Sequence, residues 1–123
     1  MRTALVVDDN DINRILAVKL LSKAEWTVAE ASCGEDAITW LRANTADLVL
    51  LDISMPTMSG QDVCRLIREG GLGGAGVKVV AYTAHAMNQE VTEFLSSGFD
   101  TVLLKPLSRG RLSEMLTNQG FCP

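Results

Sequence analysis

Five short apolar runs alternate with longer segments of helical periodicity, and this alternation restricts the possible folds more than any other feature of the sequence. The runs are rich in Leu and β-branched residues and lack polar alternation, which is typical of strands buried on both faces. They cover Ala4–Val7, Thr27–Ala29, Leu48–Leu51, Val77–Ala81 and Val102–Leu104. Five repeats of strand then helix predict a parallel sheet with helices on both faces and right-handed crossovers.

Residues that favour helix N-termini precede four of the five helical segments. The candidate caps are Asn10 or Asp11 for the first helix, Ser32 or Gly34 for the second, Ser59 for the third and Ser108 for the fifth. These signals support the helical interpretation of the segments between the apolar runs.

The composition is that of one globular domain. The chain has 123 residues, of which 47% are hydrophobic and 21% charged, so we expect a single domain over residues 1–123. A net charge of −4 disfavours nucleic-acid binding.

Uninterrupted apolar stretches such as Leu48–Leu51 are far too short to span a bilayer. The chain opens without a leader-like segment, and we expect a cytoplasmic monomer with no direct membrane contact.

The cysteines do not form a recognisable framework. Cys33, Cys64 and Cys122 are odd in number and widely spaced, and His85 is the only histidine. We therefore expect neither a disulfide scaffold nor a structural zinc site, which agrees with a reducing compartment.

A glycine-rich segment mimics a nucleotide-binding fingerprint. Gly71, Gly73 and Gly76 match the pattern GxGxxG. A dinucleotide site needs these glycines after a strand and before a helix, whereas here they follow a predicted helix and precede a strand. The segment is predicted to be a flexible connector.

Polar residues gather where the predicted strands end. Ligands of open α/β sheets bind outside the carboxyl ends of the strands. The residues at this edge are Asp8 and Asp9 after the first strand, Asp52 after the third, Tyr82 and Thr83 after the fourth, and Lys105 with Pro106 after the fifth. Helix capping could explain an isolated acid such as Asp11, but it does not explain three acids from two separate segments at one edge.

Three clustered carboxylates repel one another, and a divalent cation would relieve the repulsion. An all-oxygen site with few protein ligands suits Mg²⁺, which favours a phosphate ligand. Lys105 and Thr83 could then supply a cation and a hydroxyl donor to phosphoryl oxygens. Asp52 is the candidate nucleophile, because a carboxylate that attacks phosphorus forms an aspartyl phosphate.

With these residues the chain resembles, over nearly its whole length, the receiver domain of two-component response regulators. The matching positions are Asp8-Asp9, Asp52 with Met55-Pro56 and Gly60 behind it, Thr83-Ala84 and Lys105-Pro106. The resemblance implies a single doubly wound, flavodoxin-like α/β domain. It also implies a five-stranded parallel sheet in the order 2-1-3-4-5 with five helices.

The resemblance also implies a metal site and a phosphorylation site. Asp52 would accept a phosphoryl group from a phosphohistidine in a magnesium-dependent step, with Mn²⁺ as a possible substitute. Asp9, Asp52 and the backbone carbonyl of Ser54 would bind the metal, and Asp8 would act through water. The isolated domain would not be an enzyme in its own right, although it would assist its own phosphorylation and dephosphorylation.

Further roles follow from the same resemblance. Thr83 and Ala84 would contact the phosphoryl group and take part in switching, and Lys105 would pair with the phosphoryl group. Ser54 and His85 occupy positions that tune the lifetime of the phosphate in the family.

Two local patterns are similar to receivers inside hybrid sensor histidine kinases. They are Asp8-Asp9-Asn10 followed by Asn13-Arg14, and Thr83-Ala84-His85-Ala86-Met87. The implied partner is a histidine kinase or a histidine phosphotransfer domain. The chain carries no effector or DNA-binding module, so we expect either a domain of a hybrid kinase, which would be tethered to the inner membrane, or a stand-alone regulator.

The first predicted helix carries two apolar stripes. The stripe expected to pack on the sheet consists of Leu16, Ala17, Leu20, Leu21 and Ala24. Ile12, Ile15 and Val18 lie on another face, which predicts a docking patch for a helical bundle together with Pro106 and Leu107.

One position departs from the family pattern. Receivers often carry Tyr or Phe three residues before the lysine, and Val102 stands there. The aromatic rotation that serves as a readout in such receivers is therefore not expected here.

Three other functions fit the sequence less well. A haloacid-dehalogenase-type phosphatase needs a second Asp two residues after the nucleophile, where this chain has Ser54. A pseudo-receiver that only binds a partner would not need the full acidic set. A flavodoxin-type cofactor site is disfavoured because acids occupy the edge where an anionic cofactor phosphate would lie.

Overall fold

The computed structural model describes residues 2–121, so Cys122 lies outside the described residues. The elements in chain order are β1 Thr3–Val7, α1 Asp11–Lys23, β2 Thr27–Ala31, α2 Gly34–Ala43, β3 Leu48–Asp52, α3 Gly60–Gly70, β4 Lys78–Thr83, α4 Asn88–Ser96, β5 Thr101–Leu104 and α5 Arg109–Asn118. No helix within residues 2–121 has the length and apolar character needed to cross a membrane.

The five strands form one parallel sheet in the order β2-β1-β3-β4-β5, which confirms the expected topology. Several strands extend further than the apolar runs. β2 continues to Ala31, because Glu30 and Ala31 pair with Val6 and Val7 of β1. β3 and β4 likewise continue beyond their predicted runs and end on the polar residues Asp52 and Thr83.

Each face of the sheet has its own core. Helices α2, α3 and α4 cover one face and bury residues such as Leu41, Val63 and Phe94 against the sheet. Helices α1 and α5 cover the other face, where Leu21 and Leu112 are buried. With helices on both faces, the strands read as continuous apolar runs.

Asn10, Ser59 and Ser108 cap α1, α3 and α5, as predicted. The prediction for α2 is wrong: Cys33 is the cap, and neither Ser32 nor Gly34 is. The Cys33 sulfur accepts a hydrogen bond from the N–H of Asp36 at 3.5 Å. A thiol is a weak acceptor, so sequence preference did not point to it.

The segment that matches GxGxxG connects α3 to β4, as predicted. Gly71 ends α3 in the left-handed conformation with φ of 63°, and its N–H donates to the carbonyl of Ile67. The glycines therefore terminate a helix and precede a strand, at the edge of the sheet opposite the acidic residues.

Candidate functional site

Strand alternation brings four functional side chains to one side of the sheet. Successive residues of a strand point to opposite faces, so residues two apart share a face. The α1/α5 core contains Val6, Leu50, Val80 and Leu103 from four strands, and two positions after each come Asp8, Asp52, Tyr82 and Lys105, of which Tyr82 is itself part of that core. The hydrophobic pattern that buries the strands therefore also determines which side of the sheet these side chains occupy.

The three predicted metal-binding acids are brought together. Oxygens from the carboxylates of Asp8, Asp9 and Asp52 all lie within 4.8 Å of one another. Asp8 is fully buried and Asp52 is 3% exposed, whereas Asp9 is exposed to solvent. The cluster therefore has two buried members and one that opens to the outside.

Lys105 joins the two buried acids. Its Nζ lies 3.0 Å from Oδ2 of Asp8 and 3.1 Å from Oδ1 of Asp52. Oδ1 of Asp52 also accepts a hydrogen bond from the N–H of Ser54 at 3.3 Å. One ammonium faces three carboxylates, so the cluster keeps a net negative charge when all groups are ionised.

The environment favours the protonated form of Asp52. Burial raises the pKa of Asp52 to about 7, and the negative charge of Asp8 adds to the rise. The ammonium of Lys105 acts in the opposite direction without cancelling these effects. A divalent cation would stabilise the ionised form, so this site is suited to bind one.

Backbone contacts hold the loop that carries Asp8 and Asp9. The Asn10 N–H donates to Oδ1 of Asp8 at 2.9 Å, and Nη1 of Arg14 donates to the Asp8 carbonyl at 2.9 Å. Arg14 also pairs with Asp11 and Glu30. In the sequence Arg14 stands out only as part of a resemblance, and the structure shows that its hydrogen bond ties α1 to this loop.

Gly60 lies directly behind Asp52. Its N–H donates to the carbonyl of Ile53 at 3.1 Å. A Cβ at this position would overlap the backbone oxygen of Asp52 and lie 2.9 Å from Cα of Ile53. The backbone after β3 therefore needs a residue without a side chain here, which accounts for the glycine in the motif.

Thr83 ends β4 with its hydroxyl engaged locally. The hydroxyl donates to the carbonyl of His85 at 3.0 Å and accepts from the His85 N–H at 3.3 Å. Thr83 is nearly buried, whereas Ala84 and His85 are exposed. The structure places these residues at the rim of the site, and their predicted contacts with a phosphoryl group remain predictions.

Tyr82 belongs to the site, although no role for it was predicted from the sequence. It is fully buried, and the Nζ of Lys105 lies 4.8 Å from its ring centroid. Tyr82 pairs in register with Asp52 on β3. The signal in the sequence was its position two residues after Val80, on the same side of the sheet as the acids.

The outer face of α1 carries exposed apolar residues, as predicted. Ile12 is 79% exposed and Ile15 is 47% exposed. Ala17 and Leu21 of the predicted inner stripe are buried against the sheet.

Three expectations about this region are wrong. Val18 is half-buried and packs against the α1/α5 core, because it lies at the boundary between the two stripes. Ala24, expected on the inner stripe, is exposed because α1 ends at Lys23. Leu107 is buried in the same core and offers little surface to a partner, whereas Pro106 is exposed.

Several solved structures are similar to this chain in backbone fold. The chemotaxis response regulator CheY4 of Vibrio cholerae superimposes with a TM-score of 0.89 over 97% of this chain and 98% of that chain. The sequence identity is 23%, so this likeness concerns the fold alone. Full-length ShkA in complex with AMPPNP matches with a TM-score of 0.82 and 31% identity, over 96% of this chain and 24% of that chain.

Relatives of two kinds are similar in sequence. The sensor histidine kinase RcsC of Salmonella typhi is 38% identical over 112 residues, which is 91% of this chain and 12% of the kinase. The response regulator UvrY of Escherichia coli O6:H1 is 38% identical over 100 residues, which is 80% of this chain and 44% of that regulator. The chain thus spans a small part of the kinase and less than half of the regulator.

The family model for the response regulator receiver domain matches residues 4–117. This range contains all five strands except Thr3, the first residue of β1. It also contains the four side chains that the strands place at the carboxyl edge. The chain therefore belongs to the family of response regulator receiver domains.

Proposed function

We propose that Asp52 accepts a phosphoryl group from a phosphohistidine of a histidine kinase or a histidine phosphotransfer domain. The observation that carries this proposal is the placement of Asp52, nearly buried at the end of β3, within reach of two further carboxylates and 3.1 Å from the Lys105 ammonium. A carboxylate in such surroundings combines a nucleophile with the charges that a transferring phosphoryl group requires.

The chemistry assigns different tasks to the two oxygens of Asp52. Oδ1 is held by the N–H of Ser54 and by Lys105, so we assign the attack to Oδ2. A bond forms between Oδ2 and phosphorus as the phosphorus–nitrogen bond of the donor breaks. The electron pair of that bond stays on the ring nitrogen, and a donor whose other ring nitrogen carries a proton leaves as neutral histidine. Lys105 lies where it can offset negative charge on the phosphoryl oxygens.

The donor set fits Mg²⁺, with Mn²⁺ as an alternative. Three carboxylates and one ammonium leave two net negative charges when all are ionised, and hard oxygen ligands are those that Mg²⁺ prefers. Asp9, Asp52 and the Ser54 carbonyl would hold the ion, and Asp8 would act through water. When bound, the ion supplies positive charge that stabilises the transferring group.

Thr83 has to reorient to take part. Its hydroxyl donates to the carbonyl of His85, so it has to release this hydrogen bond before it can donate to a phosphoryl group. Ala84 is exposed at the rim of the site and carries only a methyl group, and we assign it to the contact with the phosphoryl group and to switching. Ser54 and His85 are exposed beside the site, where their side chains would influence how water reaches the phosphate.

The partner would dock on the outer face of α1. Ile12 and Ile15 are exposed on the helix that follows the Asp8-Asp9 loop, and Pro106 is exposed on the loop after Lys105. An apolar patch beside the acidic edge suits the helical bundle of a phosphotransfer domain, whose histidine must reach Asp52.

The wider setting is proposed from the relatives. Both sensor kinases and a response regulator match this chain, so we propose a cytoplasmic, monomeric receiver that acts inside a hybrid kinase or as a stand-alone regulator. Acceptance of a phosphoryl group at Asp52 is common to both settings, and exchange with a histidine phosphotransfer domain belongs to the hybrid-kinase setting.

Labelling of the Asp52→Asn variant tests the proposal. An amide is not a competent nucleophile, so a phosphorylated donor should label the wild-type protein and leave this variant unlabelled. Asp47→Asn is the matched control, because Asp47 is an exposed acid at the opposite end of β3. Stoichiometric labelling of Asp52→Asn, or absence of labelling in the wild type, would overturn the assignment.

A further inference from the structure

The path of the Lys105 side chain across the sheet is the starting observation. Lys105 follows β5, and β4 lies between β5 and β3. To reach Asp52, the side chain has to cross β4 on the α1/α5 side. Tyr82 is the β4 residue on that side at the level of Asp52, since it pairs in register with both Asp52 and Leu103.

The crossing brings the ammonium over the face of the ring. Nζ of Lys105 lies 4.8 Å from the Tyr82 centroid, inside the range of cation–π attraction. The ring is fully buried, and the Lys105 side chain is only 13% exposed. Both partners are largely removed from water, which is where this attraction is strongest.

The ring cannot easily move away from this position. Tyr82 is part of the α1/α5 core together with Leu103 and Leu107. Close-packed interiors allow little side-chain displacement. The ammonium at the end of the flexible Lys105 side chain therefore contacts a ring that is held in place, and it also contacts Asp8 and Asp52.

We propose that Tyr82 is a positioning residue: its aromatic face holds the Lys105 ammonium between Asp8 and Asp52. The contact itself is independent of phosphorylation, and its effect on phosphoryl transfer rests on the proposed function. The chain lacks the aromatic residue often found three positions before the lysine, where it has Val102, and Tyr82 places an aromatic ring next to the lysine from a different strand.

The ring, and not the hydroxyl, carries this role. Burial raises the pKa of Tyr82 to about 12, so the phenol stays protonated and neutral. Tyr82→Phe keeps the aromatic face and should behave like the wild type. Tyr82→Leu keeps an apolar side chain but removes the face and should release the ammonium.

A double-mutant cycle on labelling by acetyl phosphate separates positioning from packing. We expect Tyr82→Leu to slow labelling of Asp52 by about 3- to 10-fold, and Tyr82→Phe to stay within about 2-fold of the wild type. In a Lys105→Met background, Tyr82→Leu should cause no further slowing, because the group that it positions is gone. An equal loss in both backgrounds would mean that Tyr82 only fills the core.

A matched packing control is Phe94→Leu, which removes a buried ring from the opposite core. It should leave the labelling rate unchanged although the protein loses stability.

A second readout needs no labelling: the ring current should shift the ε-methylene protons of Lys105 upfield in the wild type and in Tyr82→Phe. An absent shift in the wild type would overturn the proposal. If the wild type shows the shift but is not labelled at Asp52, the proposed function fails and the contact stands.

Discussion

The ammonium of Lys105 lies 3.1 Å from Oδ1 of Asp52, although β4 separates the strands that carry the two residues. In the proposed function, the cation is therefore in place before the phosphoryl group arrives. Such preorganisation would lower the cost of rearranging charges during transfer. The same cation also moderates the repulsion between Asp8 and Asp52 in the resting protein.

Lys105→Ala should separate acceptance of phosphate from the response to it. We expect labelling of Asp52 to continue at a reduced rate, because the nucleophile and the acids remain. The conformational response should weaken, because the cation that responds to phosphoryl charge is gone. The measurement is the shift of the Thr83 amide signal on addition of Mg²⁺ and beryllofluoride, and a wild-type shift in the variant would contradict this role.

Asp52→Asn should change how stability depends on pH. The pKa of Asp52 is raised to about 7 in the folded protein, so folding favours its protonated form. This favourable contribution to the free energy of unfolding is fully present below about pH 4, where Asp52 of the unfolded chain is also protonated. It is lost as the pH rises to about 7. Because the asparagine of the variant does not ionise, the variant does not lose stability in this way, and it should be more stable than the wild type by about 2 kcal/mol at pH 8 without metal.

Urea denaturation at pH 4 and pH 8 with chelator measures this difference. The free energies of unfolding of the two proteins should converge at the lower pH. Asp47→Asn is again the control, since its exposed carboxylate lies at the other end of the strand. A constant difference between wild type and Asp52→Asn at both pH values would show that the burial of Asp52 is not the cause.

Removal of divalent metal should abolish labelling. The net negative charge of the acid cluster would repel a phosphoryl donor unless a cation is bound. Mg²⁺ should also raise the melting temperature of the wild type, because it binds the folded state alone. Asp9→Asn should weaken both effects, and undiminished transfer in excess chelator would count against the metal site.

Ile15→Asp should weaken binding to a phosphotransfer domain and leave labelling by acetyl phosphate unchanged. Ile15 is 47% exposed on α1, so a charge there removes apolar contact area without disturbing the core. Leu95→Asp is matched in exposure, at 47%, and lies on α4, away from the proposed docking face. Titration calorimetry should show the loss only for Ile15→Asp, and equal losses in both variants would argue for a general effect of charge.

Gly60→Ala should destabilise the fold and disturb phosphoryl acceptance together. The added Cβ would overlap the backbone oxygen of Asp52 and lie 2.9 Å from Cα of Ile53, so the backbone must shift. We expect a loss of about 2 kcal/mol or more in the free energy of unfolding. Gly110→Ala offers a control, because nothing lies within 4 Å of the corresponding Cβ. Wild-type stability for Gly60→Ala would mean that the loop absorbs the methyl group.

The order of elements was predictable because strands buried on both faces leave a simple signature. Runs such as Leu48–Leu51 have no polar alternation, and their spacing leaves room for one helix each. The exact ends were less predictable. Strand β4 continues to Thr83 because pairing with β5 continues after the apolar run ends.

The acids of the site were predictable from chain position, whereas side-chain orientation was not. Asp8 and Asp52 follow strands whose carboxyl ends must lie together. The hydroxyl of Thr83 turns to the backbone of His85, and Leu107 turns inward. Both outcomes depend on local hydrogen bonding and packing, which periodicity does not encode. The contact between Tyr82 and Lys105 required the strand order as well as the sequence.

The two-residue spacing between core residues of the strands and the side chains at the carboxyl edge has an evolutionary consequence. Insertion of one residue between Leu50 and Asp52 would turn Asp52 to the opposite face if the start of β3 keeps its register, and would turn Leu48 and Leu50 out of their core if the end of β3 keeps it. A length change inside the strand is therefore penalised in either case, through the chemistry or through the folding. The glycine-rich connector between α3 and β4 lies at the other edge of the sheet, so homologues of different length should differ there while the reactive edge keeps its spacing.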